Sequence, residues 1–136
     1  MQNLQQACSK APEGLTLTLE PLNSVDMPGY FMNDYDLAAA IIAAVDRPNL
    51  ALQYDSYHAQ VITGDAIGTF ARHRDMIRHI QIGDAPGRVP PGHGEIDFSR
   101  LFGDIEASGY DGWISAEYTP GVATEKSLTW MNKVAN

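Results

Sequence analysis

Four short apolar runs alternate with helix-like segments along this chain, and each run ends at or next to a side chain that carries oxygen. The runs are LTLTLE, LALQYD, MIRHIQI and GWISAEY, and the oxygen-bearing residues are Glu20, Asp55, Gln81 and Glu117. Connections long enough to hold a helix force neighbouring strands to run parallel. The chain is therefore predicted to be an α/β protein in which these four residues meet at one edge of a parallel sheet.

The predicted element order is α–βα–βα–βα–βα, without a linker, so a single domain over residues 1–136 is expected. Predicted strands cover residues 15–20, 50–55, 76–82 and 112–118, and predicted helices cover 2–11, 34–46, 65–76, 97–108 and 124–134. The segments 21–31, 56–64 and 83–95 are predicted to be loops.

The length of the chain limits how much of a barrel it can form. A complete barrel of eight strand–helix units needs about 250 residues, and this chain has 136. Barrels of this type place their active sites at the C-terminal ends of the strands, where the four oxygen-bearing residues are expected. The predicted fold is therefore a partial (β/α)8 TIM barrel of about four parallel strand–helix units.

The four strand-end residues form a set of oxygen ligands. For either glutamate alone, an ordinary strand-end carboxylate at the solvent boundary is an equal alternative. Three carboxylates at one point repel each other strongly, however, and either protonation or a divalent cation must relieve that repulsion, of which the cation is the simpler explanation. Carboxylate and amide oxygens suit Mg²⁺ or Mn²⁺ better than Zn²⁺ or copper. The sequence therefore predicts an Mg²⁺ or Mn²⁺ site made by Glu20, Asp55, Gln81 and Glu117.

The composition argues against several classes of partner. A net charge of −8 with scattered Lys and Arg disfavours binding to nucleic acid or to an anionic membrane. The longest apolar run, residues 37–45, is far below the roughly 20 residues of a membrane span. The single cysteine, Cys8, is expected to be a small apolar residue of the first helix. No signal peptide is visible, and a cytoplasmic location is expected.

Two side chains near the strand ends are candidates for substrate contacts. His58 lies three residues beyond Asp55, just past a strand end. Arg88 carries a planar group that suits a carboxylate or neighbouring oxygens. The alternative for Arg88 is a loop arginine paired with Asp84 or Glu95.

The remaining histidines, aromatic residues and methionines have weaker claims on function. His79 shares a strand face with Gln81 and is expected to line the barrel or support the site. His73 is expected to be a solvated helix residue, and His93 lies near the mouth. Packing is the expected role of several residues, which are Trp113, Tyr118, Tyr54, Tyr57, Met27, Met32 and Met131, although Tyr57 could also lie at the edge of the pocket.

At these residues the chain resembles the hydroxypyruvate isomerase family of the xylose-isomerase-like barrel superfamily. The matching segments are LEPLNSVDMPGY, LQYDSYHAQ, HIQIGDAPGRVPPGHGEIDF and GYDGWISAEYTP. The resemblance corresponds to the second half of the barrel. Gln81 resembles the hydroxypyruvate isomerase branch, because ketose epimerases of the superfamily usually carry histidine there. The endonuclease branch fits poorly, because it uses more histidine ligands and needs a basic surface.

The resemblance implies specific roles for the candidate residues. It implies four metal ligands, which are Glu20, Asp55, Gln81 and Glu117. It also implies that Glu20 and Glu117 exchange the substrate proton, and that His58 and Arg88 contact substrate oxygens. The expected activity is metal-dependent interconversion of hydroxypyruvate and tartronate semialdehyde, or of a related 2-oxo sugar acid, through an enediolate.

A half barrel also has a structural consequence. Four parallel strands leave an open edge on each side and a half-exposed apolar face. We therefore expect a homodimer in which two copies cover each other's open faces. The alternative is a truncated, catalytically silent half barrel that binds metal weakly or acts as an assembly module. The substrate length, the identity of the metal and the source of the missing half stay open.

Overall fold

Four parallel strands form one sheet in the computed structural model, which describes residues 1–134. The strands are β1 (Leu17–Leu19), β2 (Leu50–Asp55), β3 (Ile77–Ile82) and β4 (Ile114–Ala116), and they lie side by side in chain order. Every neighbouring pair is parallel. The predicted partial barrel of four parallel strand–helix units is confirmed. The predicted domain, 1–136, includes residues 135 and 136, which lie outside the described residues.

Helices connect the strands. They are α1 (Gln2–Lys10), α2 (Tyr35–Val45), α3 (Ser56–Thr63), α4 (Ala66–His73), α5 (Phe98–Ala107), α6 (Thr124–Ser127) and α7 (Met131–Val134), and short 3₁₀ turns follow α4 and α6. Asp34 and Asp97 cap α2 and α5 through hydrogen bonds to backbone N–H groups three residues on. No helix within residues 1–134 is long and apolar enough to cross a membrane.

The prediction of a loop over residues 56–64 is wrong, because this segment begins with α3. Asp55 caps the helix by accepting hydrogen bonds from the N–H groups of Tyr57 and His58, and Gly64 ends it with a φ of 74°. Both signals were present in the sequence. The predicted final helix over 124–134 is also wrong in detail, because a 3₁₀ turn divides it into α6 and α7.

One apolar core joins the sheet to the helices. Leu52 and Ile80 come from the two central strands, and Ala38, Phe70 and Leu101 come from α2, α4 and α5. All five are almost fully buried. The helices therefore cover the outside of the two central strands, and the C-terminal ends of the strands stay available for a site.

Three of the lesser predictions on single residues are confirmed, and one of them is the packing role of Tyr54, which is fully buried in the core. Cys8 is a buried residue of α1, and Met32 packs against the core. His73 is not solvated as predicted, because α4 packs against α2. Its ring stacks 6.1 Å from that of Tyr35, its Nε2 lies 3.1 Å from Oδ1 of Asp36, and burial lowers its pKa.

Large apolar side chains that are exposed lie only near the two edge strands, among the residues whose burial is described. They are Met1, Leu15, Val25, Met27, Tyr30, Phe31 and Leu37 in the part of the chain around β1, and Trp113, Ile114, Val122 and Met131 in the part around β4. None lies between residues 38 and 112. The predicted packing roles of Met27, Met131 and Trp113 are therefore wrong within this chain, and Trp113 is 83% exposed.

Each open edge also carries an apolar groove. The groove beside β4 has a volume of about 810 Å³ and is lined by Phe102, Ile114 and Trp130, among others. The groove beside β1 has a volume of about 500 Å³ and is lined by Leu19 and Phe31, among others. The surfaces next to both edge strands are therefore grooved and lined mainly by apolar residues, although Asp97 and Glu106 also line the groove beside β4.

Candidate metal and substrate site

The four predicted metal ligands lie in one network of contacts at the C-terminal ends of the strands. Nη2 of Arg88 lies 3.0 Å from Oδ2 of Asp55 and 2.8 Å from Oε1 of Glu117. Nε2 of Gln81 donates a hydrogen bond to Oε2 of Glu117. Gln53 links Glu20 to Gln81. The fold therefore brings the side chains from all four strands together.

Asp55 uses its two carboxylate oxygens for different purposes. Oδ1 accepts hydrogen bonds from the N–H groups of Tyr57 at 2.8 Å and His58 at 3.1 Å, and so caps α3. Oδ2 is directed toward the site, where it accepts a hydrogen bond from Arg88. Burial raises the pKa of Asp55 to about 6, although the bond from the His58 backbone and the charge of Arg88 oppose that shift. The cap thereby fixes the direction of the second oxygen.

Glu20 is held next to the other carboxylates at the end of β1. Partial burial raises its pKa to about 7, and the negative charges of Asp55 and Glu117 add to the shift. Arg88 opposes this shift but is one cation against three carboxylates. A site with this excess of negative charge and with oxygen donors fits a hard divalent cation such as Mg²⁺ or Mn²⁺.

His58 is buried beside the carboxylates and is fixed from behind by a loop residue. Its Nδ1 accepts a hydrogen bond from the backbone N–H of Asn23 at 3.0 Å, and burial lowers its pKa to about 4. The neutral ring therefore carries its proton on Nε2. Glu20, Asp55 and His58 each offer a potential ligand atom, and these atoms lie within 4.8 Å of one another. In this tautomer, Nε2 of His58 is a hydrogen-bond donor rather than a metal ligand.

Arg88 does not pair with Asp84 or Glu95, the alternative considered from the sequence. Its guanidinium instead contacts Asp55 and Glu117 and lies 5.3 Å from the centre of the Tyr57 ring. Its backbone is in the left-handed region, with a φ of 52°. This conformation turns the side chain from the loop toward the strand ends.

Asp84 organises the loop that carries Arg88, and the sequence reasoning missed this role. Its carboxylate is completely buried. It accepts hydrogen bonds from four backbone N–H groups at 2.8–3.0 Å, which belong to Ala85, Gly92, Gly94 and Ile96. The loop 83–95, which is rich in glycine and proline, was a sign that its shape needed an internal anchor.

Gln53 is a second residue that the sequence reasoning missed. It precedes Asp55 by two positions on β2, and residues at this spacing face the same side of a strand. That alternation could have revealed it. His79 lies opposite Gln53 on β3, where its Nε2 is 3.0 Å from Oγ of Ser115. Nδ1 of His93 lies 3.2 Å from the carbonyl oxygen of Pro90, within the loop.

The comparisons with known proteins point to one fold family. Residues 1–134 match the family described as the xylose isomerase-like TIM barrel. The chain belongs to that family. It is 41% identical over 132 residues to a 2-oxo-tetronate isomerase of Cupriavidus necator, and the alignment covers 96% of this chain and 51% of that protein. It is 40% identical over 133 residues to the hydroxypyruvate isomerase of Escherichia coli, and the alignment covers 97% of this chain and 52% of that protein.

Two solved structures are also similar to this chain. A Brucella melitensis protein described as an AP endonuclease of family 2 superposes with a TM-score of 0.92 at 39% identity, over 97% of this chain and 52% of that chain. A 3-keto-D-glucoside 4-epimerase of Escherichia coli superposes with a TM-score of 0.79 at 27% identity, over 97% of this chain and 50% of that chain.

The chain spans about half the length of the curated relatives it matches. The resemblance to hydroxypyruvate isomerases is confirmed. The individual roles of the site residues stay predictions.

Proposed function

We propose that this chain carries the metal-binding and proton-transfer residues of an isomerase of the hydroxypyruvate isomerase type. Its reaction would interconvert hydroxypyruvate and tartronate semialdehyde, or a related 2-oxo sugar acid. The observation that carries the proposal is the contact network joining Glu20, Asp55, Gln81 and Glu117. The 40% identity to a hydroxypyruvate isomerase supports it.

The metal requirement follows from the donor set. Glu20, Asp55, Gln81 and Glu117 would hold Mg²⁺ or Mn²⁺, in keeping with their oxygen atoms and their excess negative charge. Such an ion, when bound, polarises the carbonyl and hydroxyl oxygens of a substrate and disperses the negative charge that develops on them.

Proton transfer would be carried out by Glu20 and Glu117. One carboxylate removes the proton from the hydroxyl-bearing carbon of the substrate. The C–H electron pair then forms the carbon–carbon double bond of an enediolate, and the former carbonyl oxygen takes up the negative charge. The other side chain, in its protonated form, delivers its proton to the neighbouring carbon, while the hydroxyl proton passes to the former carbonyl oxygen.

Arg88 and His58 would hold the substrate. The contacts of Arg88 with Asp55 and Glu117 use Nε and Nη2, which leaves the N–H groups of Nη1 to donate to a substrate carboxylate. His58 would donate from Nε2 to a substrate oxygen, since Asn23 occupies its Nδ1. A larger 2-oxo sugar acid remains the alternative substrate, because residues beyond this chain would decide how much room there is.

The proposal is tested first by calorimetric titration of the metal-free protein with Mn²⁺. We expect saturable binding near one ion per chain, and loss of that binding in Glu20→Gln. The exposed Glu106→Gln is the matched control and should bind as the wild type does. Absence of binding in the wild type would refute the metal site.

Turnover of hydroxypyruvate is the second test. Glu117→Gln should abolish turnover while leaving the circular dichroism spectrum unchanged, and Glu106→Gln should keep the wild-type rate. Metal binding without turnover in the wild type would instead support the catalytically silent half barrel. DNA cleavage is disfavoured by the net charge of −8, because phosphate-binding surfaces are basic.

We also propose that two copies of the chain associate through their open edges. The exposed large apolar residues are concentrated beside β1 and β4. The four strands of one copy supply half of the eight that close a barrel. A two-fold axis along the barrel would place β4 of one copy parallel to β1 of the other at both junctions, so the assembly would close at two copies. Trp113 and Ile114 would then be buried.

Sedimentation velocity at micromolar concentration tests this assembly. We expect a dimer in the wild type and a monomer in Ile114→Asp. Ala43→Asp introduces the same charge at an exposed position of α2 that lines neither groove, and it should remain a dimer. Trp113 emission should shift to shorter wavelength as the dimer forms. A monomeric wild type would refute the assembly, as would a dimer that Ile114→Asp does not weaken.

A further inference from the structure

Gln53 lies beneath the site, between two of the residues that the proposed function uses. It is part of β2 and is partly buried. Its Nε2 donates a hydrogen bond to Oε2 of Glu20 at 2.8 Å and a second one to Oε1 of Gln81. Its own Oε1 accepts a hydrogen bond from Oγ1 of Thr18 at 3.0 Å. Both N–H groups of the amide are therefore directed at side chains of the site.

The hydrogen bonds continue beyond Gln81. Because Oε1 of Gln81 accepts from Gln53, its Nε2 faces the other way and donates to Oε2 of Glu117. The resulting chain runs from Glu20 through Gln53 and Gln81 to Glu117 and crosses all four strands. Each carboxylate at its ends receives one amide N–H. The two carboxylates fix the orientation of both amides, because an amide turned the other way would direct its oxygen, which cannot donate, at a carboxylate.

We propose that Gln53 is a positioning residue that holds Glu20 directly and Glu117 through Gln81. This inference rests on the proposed function for its catalytic consequence, but its structural part does not. Gln53 would touch neither substrate nor metal. Its contribution would be to fix the direction of two carboxylates and one amide relative to each other, as outer partners of metal-binding side chains commonly do.

The structural part is tested without metal or substrate by a double-mutant cycle on the unfolding equilibrium. Gln53→Met and Gln81→Met remove the amides at nearly constant length. The two side chains are hydrogen-bonded to each other, so the effects of the single variants should not be independent. The factor by which the double variant changes the unfolding equilibrium constant should be at least about threefold smaller than the product of the two single-variant factors. Gln60→Met, whose amide bonds outside the site to Glu95 and Gly64, should combine with Gln81→Met multiplicatively. A multiplicative result for Gln53 with Gln81 would overturn the inference.

The functional part is tested by Mn²⁺ affinity and by the separation of kcat from KM. We expect Gln53→Met to weaken Mn²⁺ binding about 10- to 100-fold and to lower kcat more than it raises KM, whereas Gln60→Met should change neither. Both are measured where circular dichroism shows the variants to be folded. If Gln53→Met does not fold, Thr18→Val, which removes only the anchor of Gln53, should show the same changes to a smaller extent. Mn²⁺ affinity within twofold of wild type in the folded variant would overturn the positioning role.

These readouts separate the two ideas. A wild type that binds Mn²⁺ but does not turn over hydroxypyruvate refutes the proposed reaction, and the inference about Gln53 then depends on Mn²⁺ affinity and on the double-mutant cycle. A wild type that does not bind Mn²⁺ refutes the proposed metal site, and the cycle alone decides whether the two amides are coupled.

Discussion

Asp84 is the residue at which the smallest chemical change should have the largest effect on stability. Its carboxylate accepts four backbone N–H groups from the loop that carries Arg88, two on each oxygen. Oδ1 accepts from Ala85 and Ile96, and Oδ2 accepts from Gly92 and Gly94. Asp84→Asn preserves the volume of the side chain but replaces one oxygen with an NH₂ group, which cannot accept a hydrogen bond.

The expected loss of unfolding free energy depends on which two hydrogen bonds Asp84→Asn removes. Ala85 and Ile96 are buried, whereas Gly92 and Gly94 are exposed. The amide should therefore keep its oxygen on the buried pair and turn its NH₂ group toward the two glycines, where water can replace part of the loss. Hydrogen bonds to a charged group contribute about 1.5–3 kcal/mol each. Two such bonds are lost and water replaces part of the loss, so we take the lower value for each bond. Asp84→Asn should therefore lower the unfolding free energy by about 3 kcal/mol. This is a large share of the roughly 5–15 kcal/mol that stabilises a domain.

Urea denaturation followed by circular dichroism measures this loss. Asp97→Asn is the matched control, because Asp97 caps α5 through a single hydrogen bond to the N–H of Arg100, and Asn and Asp are equally good caps. It should change the unfolding free energy by less than about 0.5 kcal/mol. If Asp84→Asn also lies within about 1 kcal/mol of wild type, the carboxylate does not anchor the loop and the reasoning is wrong.

Two other perturbations have clear expected outcomes. A Cβ at Gly94 would lie 2.1 Å from the carbonyl oxygen of Ala85, whereas one at Gly103 meets nothing within 4 Å. Urea denaturation should therefore show that Gly94→Ala is destabilising, whereas Gly103→Ala stabilises α5 by up to about 1 kcal/mol; equal effects would contradict the packing. In metal-free protein, Glu20 binds more protons folded than unfolded between pH 4.5 and 7, because its pKa is raised to about 7. Glu20 should therefore make the unfolding free energy fall as the pH rises through that window. Urea denaturation at several pH values should show a smaller fall in Glu20→Gln than in the wild type. An identical pH dependence in both proteins would show that Glu20 titrates normally.

Much of the fold could be predicted from the sequence because the patterns that indicate strands and helices are local. Alternating or continuous apolar runs, each followed by a turn and a helix-like segment, indicate strands and crossovers wherever they occur. The helices predicted over 34–46 and 97–108 were recognised for the same reason, and Asp34 and Asp97 cap them in the structure. The loop predicted over 56–64 failed because Asp55 was interpreted only as a ligand, although the same side chain also caps α3. A residue with two roles was assigned one of them.

The errors on single residues share a different cause, which is contact between distant segments. His73 was expected in solvent because its own helix gives no sign of Tyr35 and Asp36, which come from α2. The alternative considered for Arg88 named loop partners, because nothing near it in sequence points to Asp55 or Glu117. Methionine and tryptophan were expected inside because their type favours burial, and Trp113 is exposed because no part of the described chain covers the edge beside β4.

The amino-acid sequence by itself determined the order of the strands, their parallel pairing and the gathering of oxygen-bearing side chains at one end of the sheet. Those features depend on periodicity and on crossover length, which act over short stretches of chain. Only the tertiary structure decided how the gathered side chains are oriented: Gln53 bridging Glu20 and Gln81, Arg88 between Asp55 and Glu117, and Asp84 inside its loop. Hydrogen bonds have direction and partners, and the partners of Gln53 and Arg88, which lie 28 to 33 positions away, are defined only when the strands have come together.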